Sequence, residues 1–257
     1  MNDVRDLRRK NRKRKYRRRK TGLFFGVFSF LVVLAAVAAA ITVFFKISNV
    51  EISGKTRYSQ EEVLDASGIR TGTNMFLINK FTTINRMFSK LVYLDEIRIR
   101  RKLPDTVEII VSDTEPAAAV EISGKYWLLD KRGKLLEPVS EEKAKQAGIV
   151  KGLTAQSAAA GEIIEPDDKD KLQKLTEFFA AAYKSGIAGD IGDIDFTKIY
   201  NVSFSYGNRF TVLIGEASDF DRKFRFLLSV KERLSPSDRG VIDLTDAESA
   251  RFRPEGF

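Results

Sequence analysis

Between Gly22 and Phe45 the chain carries no charged side chain, and Ser29 and Thr42 are its only polar ones, with Thr21 at the edge. As a helix this run would rise roughly 36 Å, at about 1.5 Å per residue, enough to cross a hydrocarbon core of about 30 Å with some tilt. Residues 21–45 therefore read as one transmembrane helix. In front of it, residues 1–20 hold twelve Lys and Arg against two Asp. The formal net charge of +9 belongs to that tail, because from Lys46 onward 32 basic residues face 33 acidic ones. Basic clusters beside a span are retained on the cytoplasmic side and attract anionic headgroups. Arg12, Lys13, Arg14, Lys15, Arg17, Arg18, Arg19 and Lys20 thus read as a topogenic tail at the lipid bilayer, with everything after Lys46 outside the cell membrane.

Two other readings of this end compete with the anchor. A basic arm for nucleic acid is unnecessary, because topology already accounts for the charges. A cleaved signal peptide would use small-residue sites at Ala36-Val37-Ala38 or Ala38-Ala39-Ala40. The apolar run continues through Ile41, Val43, Phe44 and Phe45, which favours an uncleaved anchor.

The chain has neither Cys nor His. That removes a disulfide framework, the usual zinc ligands, a Ser-His-Asp arrangement and any thiol nucleophile. No acidic cluster has the spacing of a calcium loop. No cofactor and no small-molecule substrate is expected.

Residues 46–115 read as strand, helix, helix, strand, strand. Ile47–Ile52 alternates and ends at Gly54, and Ser59 with Glu62 forms a capping box before Val63, Leu64, Ala66 and Ile69. A second helix spans roughly Thr82–Leu91. Ile97 and Ile99, then Val107, Ile109 and Val111, alternate with polar residues on either side of the turn Leu103-Pro104-Asp105. Gly54-Lys55-Thr56 looks like the end of a phosphate-binding loop, but the glycine needed five residues earlier is Asn49. The hexamer Val50–Lys55 recurs as Val120–Lys125, and the sequences that follow diverge at once, so no repeat architecture is read.

Residues 116–257 mix short strands with two clear helices. Val120–Ile122, Tyr126–Leu129 and Lys134–Leu136 read as strands; Glu141–Ile149 and Ala155–Glu165 read as loop-rich. A helix is expected over Asp168–Tyr183. Strands follow over Ile191–Phe196, Val202–Tyr206 and Phe210–Ile214. Ser218 and Asp221 form a second capping box before a helix bearing Phe220, Phe224, Leu227, Leu228 and Leu234. Val241–Leu244 and Ser249–Phe252 close the chain as strands. Phe178, Phe179, Phe224 and Phe226 read as core packing. The fold class is α+β: a single span, a βααββ unit, and a larger, mostly antiparallel α/β domain.

The order of elements after one span, with Asn49-Val50-Glu51-Ile52-Ser53-Gly54, Tyr58-Ser59 and Glu61-Glu62, resembles the POTRA domain of the bacterial divisome proteins called FtsQ or DivIB. The hairpin Arg101–Val111 carries most of the weight, followed by Pro116, Ala118 and Leu129-Asp130-Lys131-Arg132-Gly133, which looks like the family's Asp-x-x-Gly hairpin. Asp113 stands where the family more often shows Glu. Ile242-Asp243-Leu244 is similar to its Val-Asp-Leu element, with Thr245 in place of an Arg that often follows.

The resemblance implies a non-catalytic bitopic scaffold of septal cell-wall synthesis in the cell membrane, enriched at the division septum. Its partners would be FtsL and the FtsB or DivIC type, bound by strand addition at the last strand. Here that strand is Ser249, Ala250, Arg251, Phe252 and Arg253, stopped by Pro254. Arg251 and Arg253 would share one face and meet an acidic partner, or else guard an exposed edge against aggregation. The POTRA unit would touch other membrane components.

Two other functional classes fit parts of the sequence. A transpeptidase would use Ser140-Glu141-Glu142-Lys143 and Lys184-Ser185-Gly186, but the middle Ser-x-Asn element is absent between them. A POTRA-bearing secretion or envelope-assembly component would carry tandem units or a barrel. Asn201-Val202-Ser203 fits a glycosylation sequon but falls in an expected strand.

Overall fold

The structure, a computed structural model, describes residues 25–246 and 249–255. The first described element is helix α1, Phe25–Phe44, twenty residues of mean hydropathy 2.7, none of them buried. The basic tail, Arg12, Lys13, Arg14, Lys15, Arg17, Arg18, Arg19 and Lys20, lies outside the described residues.

Next come β1 (Asn49–Lys55), α2 (Gln60–Ser67), a 3-10 turn at Met75–Leu77, α3 (Lys80–Lys90), β2 (Leu94–Lys102) and β3 (Thr106–Asp113). The three strands form a sheet in the order β1-β3-β2. The expected alternation is realised: Ile97, Ile99, Val107, Ile109 and Val111 are all buried. Strand β1 starts two residues later than expected, because the Ile47 amide is used by Thr73 O at 2.9 Å before the ladder begins.

The chain gathers into two compact units. One holds residues up to Gly54 with Gln60–Thr83 and Arg98–Ile110; the other holds Lys55–Ser59, Ile84–Ile97 and everything from Val111. The second unit is built on nine strands, adding β4 (Pro116–Ile122), β5 (Lys125–Asp130), β6 (Leu135–Val139), β7 (Ile149–Lys151), β8 (Ile191–Asp195), β9 (Val202–Tyr206), β10 (Phe210–Gly215), β11 (Gly240–Asp243) and β12 (Arg251–Pro254). Their order is β12-β11-β10-β9-β8-β7-β4-β5-β6. The pairs β10–β11, β4–β7 and β7–β8 are parallel and the rest antiparallel.

One face of this sheet carries α5 (Lys169–Lys184) and α6 (Phe220–Lys231). Val202, Phe204, Tyr206, Phe210, Val212, Ile214 and Ile242 share one core with Phe178, Phe179, Phe224 and Leu227 from those helices. Phe178 is fully buried and meets Phe179, Phe196, Phe204, Phe220 and Phe224 edge-on, with centroids 5.3 to 5.9 Å away. On the opposite face, at the other end, α4 (Glu141–Ala147) buries Ala144 with Ala119, Leu128 and Leu136.

Three expectations differ here. The stretch Glu141–Ile149, expected to be loop-rich, holds α4 and the first residue of β7. Only Ala144 of α4 is buried, so the sequence shows no helical apolar period. Helix α6 does not start with the Ser218–Asp221 capping box. Asp219 is its N-cap, in the left-handed region (φ 53°) with no side-chain cap bond, and Asp221 pairs with Lys184 at 2.9 Å. The last strand is Arg251–Pro254, so Ser249 and Ala250 precede it and Pro254 lies within it.

Candidate functional site

Strand β12 stands at one end of the nine-strand order and, among the described residues, pairs with β11 alone. Gly240 opposes Pro254, Val241 opposes Arg253, Ile242 opposes Phe252, and Asp243 opposes Arg251. The amide of Glu255 donates to Arg239 O at 2.8 Å. Antiparallel bonding alternates residue by residue, so Arg251, Arg253 and Glu255 spend their peptide groups on β11. Phe252 and Pro254 therefore turn theirs outward. Proline has no N–H, and at this register the missing donor would have pointed away from the sheet. That is why Pro254 extends the strand rather than stopping it. The open edge offers the Phe252 N–H and the carbonyls of Phe252 and Pro254.

Side chains alternate about the same strand. Phe252 packs toward the core, its ring edge-on to Phe210 at 6.0 Å. Arg251 and Arg253 lie on the other face and are exposed. Arg253 donates to Asp243 Oδ2 at 3.0 Å, and Asp243 Oδ1 accepts from Thr245 N at 3.1 Å and Thr245 Oγ1 at 2.7 Å. These Thr245 bonds, followed by the arginine charges, hold the Asp243 carboxyl below its ordinary value. Thr245, standing where the resemblance led one to look for Arg, thus fixes the carboxylate that receives Arg253.

Among the described residues, no helix covers β9 to β12 on the arginine side of the sheet. Ser205, Thr211, Leu213 and Val241, with Arg239 and Arg253, line a shallow groove of about 650 Å³ there. Arg209 is the residue that sequence reading overlooked. Its guanidinium lies 4.8 Å from the Phe210 ring centroid and donates to the carbonyls of Ser235 and Pro236. Nothing in the Tyr206-Gly207-Asn208 turn signal pointed to it. Arg209, Arg239, Arg251 and Arg253 are interspersed here with Asp238, Asp243, Asp246 and Glu255, so this end of the sheet is of mixed charge, and the exposed Arg251 and Arg253 are the groups placed to meet an acidic extended segment.

The motifs considered for catalysis have local structural roles. Ser140 is the N-cap of α4, its hydroxyl accepting from Lys143 N at 3.5 Å. Ser185 is the C-cap of α5, and Lys184 pairs with Asp221. The Thr56 hydroxyl donates to Asp113 Oδ1 at 2.7 Å. Among the described residues no three acidic side chains converge as a metal cluster would require.

Residues 45–113 match the family described as POTRA domain, FtsQ-type. The chain is 24% identical over 233 residues to the cell division protein DivIB of Clostridium botulinum (strain Loch Maree / Type A3), covering 90% of each chain. It is 26% identical over 213 residues to the cell division protein FtsQ of Geobacter sp. (strain M21), covering 80% of this chain and 75% of that one. The cell division protein FtsQ of Corynebacterium glutamicum is 26% identical over 172 residues, 59% of this chain and 77% of that one. The chain thus carries an FtsQ-type POTRA domain, has homologues named DivIB and FtsQ over most of its length, and has one apolar helix near its N-terminus.

Proposed function

We propose that this chain, with its FtsQ-type POTRA domain, acts in bacterial cell division as a non-catalytic bitopic scaffold of septal cell-wall synthesis. Residues 1–20 stay in the cytoplasm, 21–45 cross the membrane, and the POTRA domain (46–115) and the β-rich domain (116–257) work outside it at the septum. The chain binds proteins of the FtsL and FtsB or DivIC type, one of which adds a strand to β12. The observation that supports this most directly is the open edge of β12. It combines main-chain groups at Phe252 and Pro254 with the exposed side chains of Arg251 and Arg253, and so supplies both the generic and the selective part of strand addition.

The test is a titration of the full chain in nanodiscs against the outside portions of the same organism's FtsL and DivIC-type proteins. A version ending at Asp246 and the charge reversal Arg251→Glu with Arg253→Glu run alongside, each with its fold checked by circular dichroism. Binding abolished by the truncation and weakened about tenfold or more by the reversal supports β12 as the site. Equal binding by all three moves the interface elsewhere.

A further inference from the structure

Outside α1, seven large apolar side chains are exposed among the described residues, and four of them are Phe76, Leu77, Phe81 and Leu103. Leu77 is 80% exposed and Phe81 75%. A single exposed apolar residue is ordinary. These four share a position, because the segments that carry them are bonded to the exit of α1.

The first segment is the 3-10 corner and the start of α3. The Met75 amide donates to Phe45 O at 3.0 Å, and the Gly72 amide donates to Ile47 O at 2.7 Å. Asn74 Nδ2 donates to Ile41 O at 2.8 Å, giving a carbonyl in the last turn of α1 a donor from outside the helix. The Phe45 and Phe76 rings meet edge-on at 5.2 Å. Arg101 braces the corner, donating from Nε to Met75 O at 2.8 Å and from its guanidinium to Ile78 O at 3.1 Å. The second segment is the β2–β3 turn. The carbonyl of Asp105 accepts from Ser48 N at 2.8 Å and Asn49 N at 3.3 Å, two residues from Leu103.

Depth follows from these bonds. A helix of the length of α1 rises about 30 Å, the thickness of the hydrocarbon core, so its last turn lies at the bilayer interface. Groups hydrogen-bonded to Ile41, Phe45 and Ser48 lie within about one helical turn of that level. A single span has lipid on every side, so apolar groups held at this depth beside it meet acyl chains. The exposed Lys46 and Lys80 flank them, as cations at a headgroup layer do.

We propose that Phe76, Leu77, Phe81 and Leu103 insert into the outer leaflet around α1 as a second, monotopic membrane contact. The POTRA unit is then seated on the bilayer at a fixed height and orientation, and does not swing on a tether. The proposal rests on the reading of α1 as a span.

The experiment uses the full chain in vesicles of phosphatidylethanolamine and phosphatidylglycerol, with no partner protein present. The absence of native cysteine allows single nitroxide labels at Val43→Cys, Leu77→Cys, Phe81→Cys and, as the water reference, Tyr200→Cys. The readout is relaxation by oxygen, which concentrates in lipid, against a nickel chelate, which stays in water. Labels at 77 and 81 shifted toward the value at 43, and away from that at 200, are expected. A lipid value at 43 with water values at 77 and 81 overturns the insertion while leaving the span intact. A water value at 43 removes the span, and the insertion falls with it.

Discussion

The carbonyl oxygen of Arg253 occupies the space that a β-carbon at Gly240 would need, so no side chain fits at position 240. Gly240 also has φ 149°, where L-residues are strained. Strand β12 is thus seated on β11 through a bare backbone contact. Gly240→Val should peel β12 away at a cost of about 1–3 kcal/mol, with the α5–α6 core retained. Hydrogen exchange should show lost protection at Arg251, Arg253 and Glu255, and partner binding should go with it. Unchanged protection at those amides would mean that β12 does not depend on this contact.

Asp130 is buried, and its Oδ1 accepts from both Arg132 N and Lys134 N at 2.9 Å while the Thr114 hydroxyl reaches Oδ2 at 3.3 Å. One carboxylate therefore closes the β5–β6 turn, with Gly133 in the left-handed region at φ 80°. Asp130→Ala strands two amides and should cost about 2–3 kcal/mol in urea denaturation. Asp130→Asn keeps an acceptor oxygen and should lose less. Equal losses would show that the charge, not the turn bonding, is what the position supplies.

Tyr93 gives a pH signature. Burial first, then the hydrogen bond and charge of Glu137, push its hydroxyl from 10.0 up to about 12, against the lowering effect of Arg57, whose guanidinium stacks 3.4 Å over the ring. Between pH 10 and 12 the unfolded tyrosine loses its proton while the folded one keeps it. The unfolded state then binds fewer protons, so stability falls as pH rises through that window. Tyr93→Phe should start about 1 kcal/mol less stable at pH 8, through the lost bond, yet decline less steeply above pH 10. Parallel curves for the two proteins would contradict the assignment.

Local chemistry was legible in the sequence, and long-range pairing was not. The apolar run at Gly22–Phe45, the alternation of Ile97, Ile99, Val107, Ile109 and Val111, and the Asp130 turn each follow from bonding between near neighbours. Asp168 likewise caps α5, accepting from Asp170 N and Lys171 N. The parallel pairs β4–β7 and β10–β11 join segments far apart in the chain, which periodicity does not record. Helix α4 escaped notice because it turns one alanine inward. At the candidate site, Arg251, Phe252 and Arg253 were singled out by the family resemblance rather than by local pattern. The role of Pro254 depends on hydrogen-bond phase, which only the register with β11 reveals.

Phe178 is the point on which the larger unit's stability should turn. Its ring is the common neighbour of five others drawn from α5, α6, β9 and the end of β8, so its removal empties a space lined by stiff groups. Aromatic rings refill a cavity poorly, which places Phe178→Ala at the upper part of the usual range, about 3–5 kcal/mol. Domains of this kind hold roughly 5–15 kcal/mol in all, so the variant should be near its folding limit at growth temperature. Phe226 on α6 is only partly buried, and Phe226→Ala should cost about 1–2 kcal/mol by its smaller area. The comparison of the two in urea, monitored by far-UV circular dichroism, separates a hub from generic apolar burial. A Phe178→Ala loss no larger than that of Phe226→Ala would show that the surrounding rings close the gap and that no single residue organises this core.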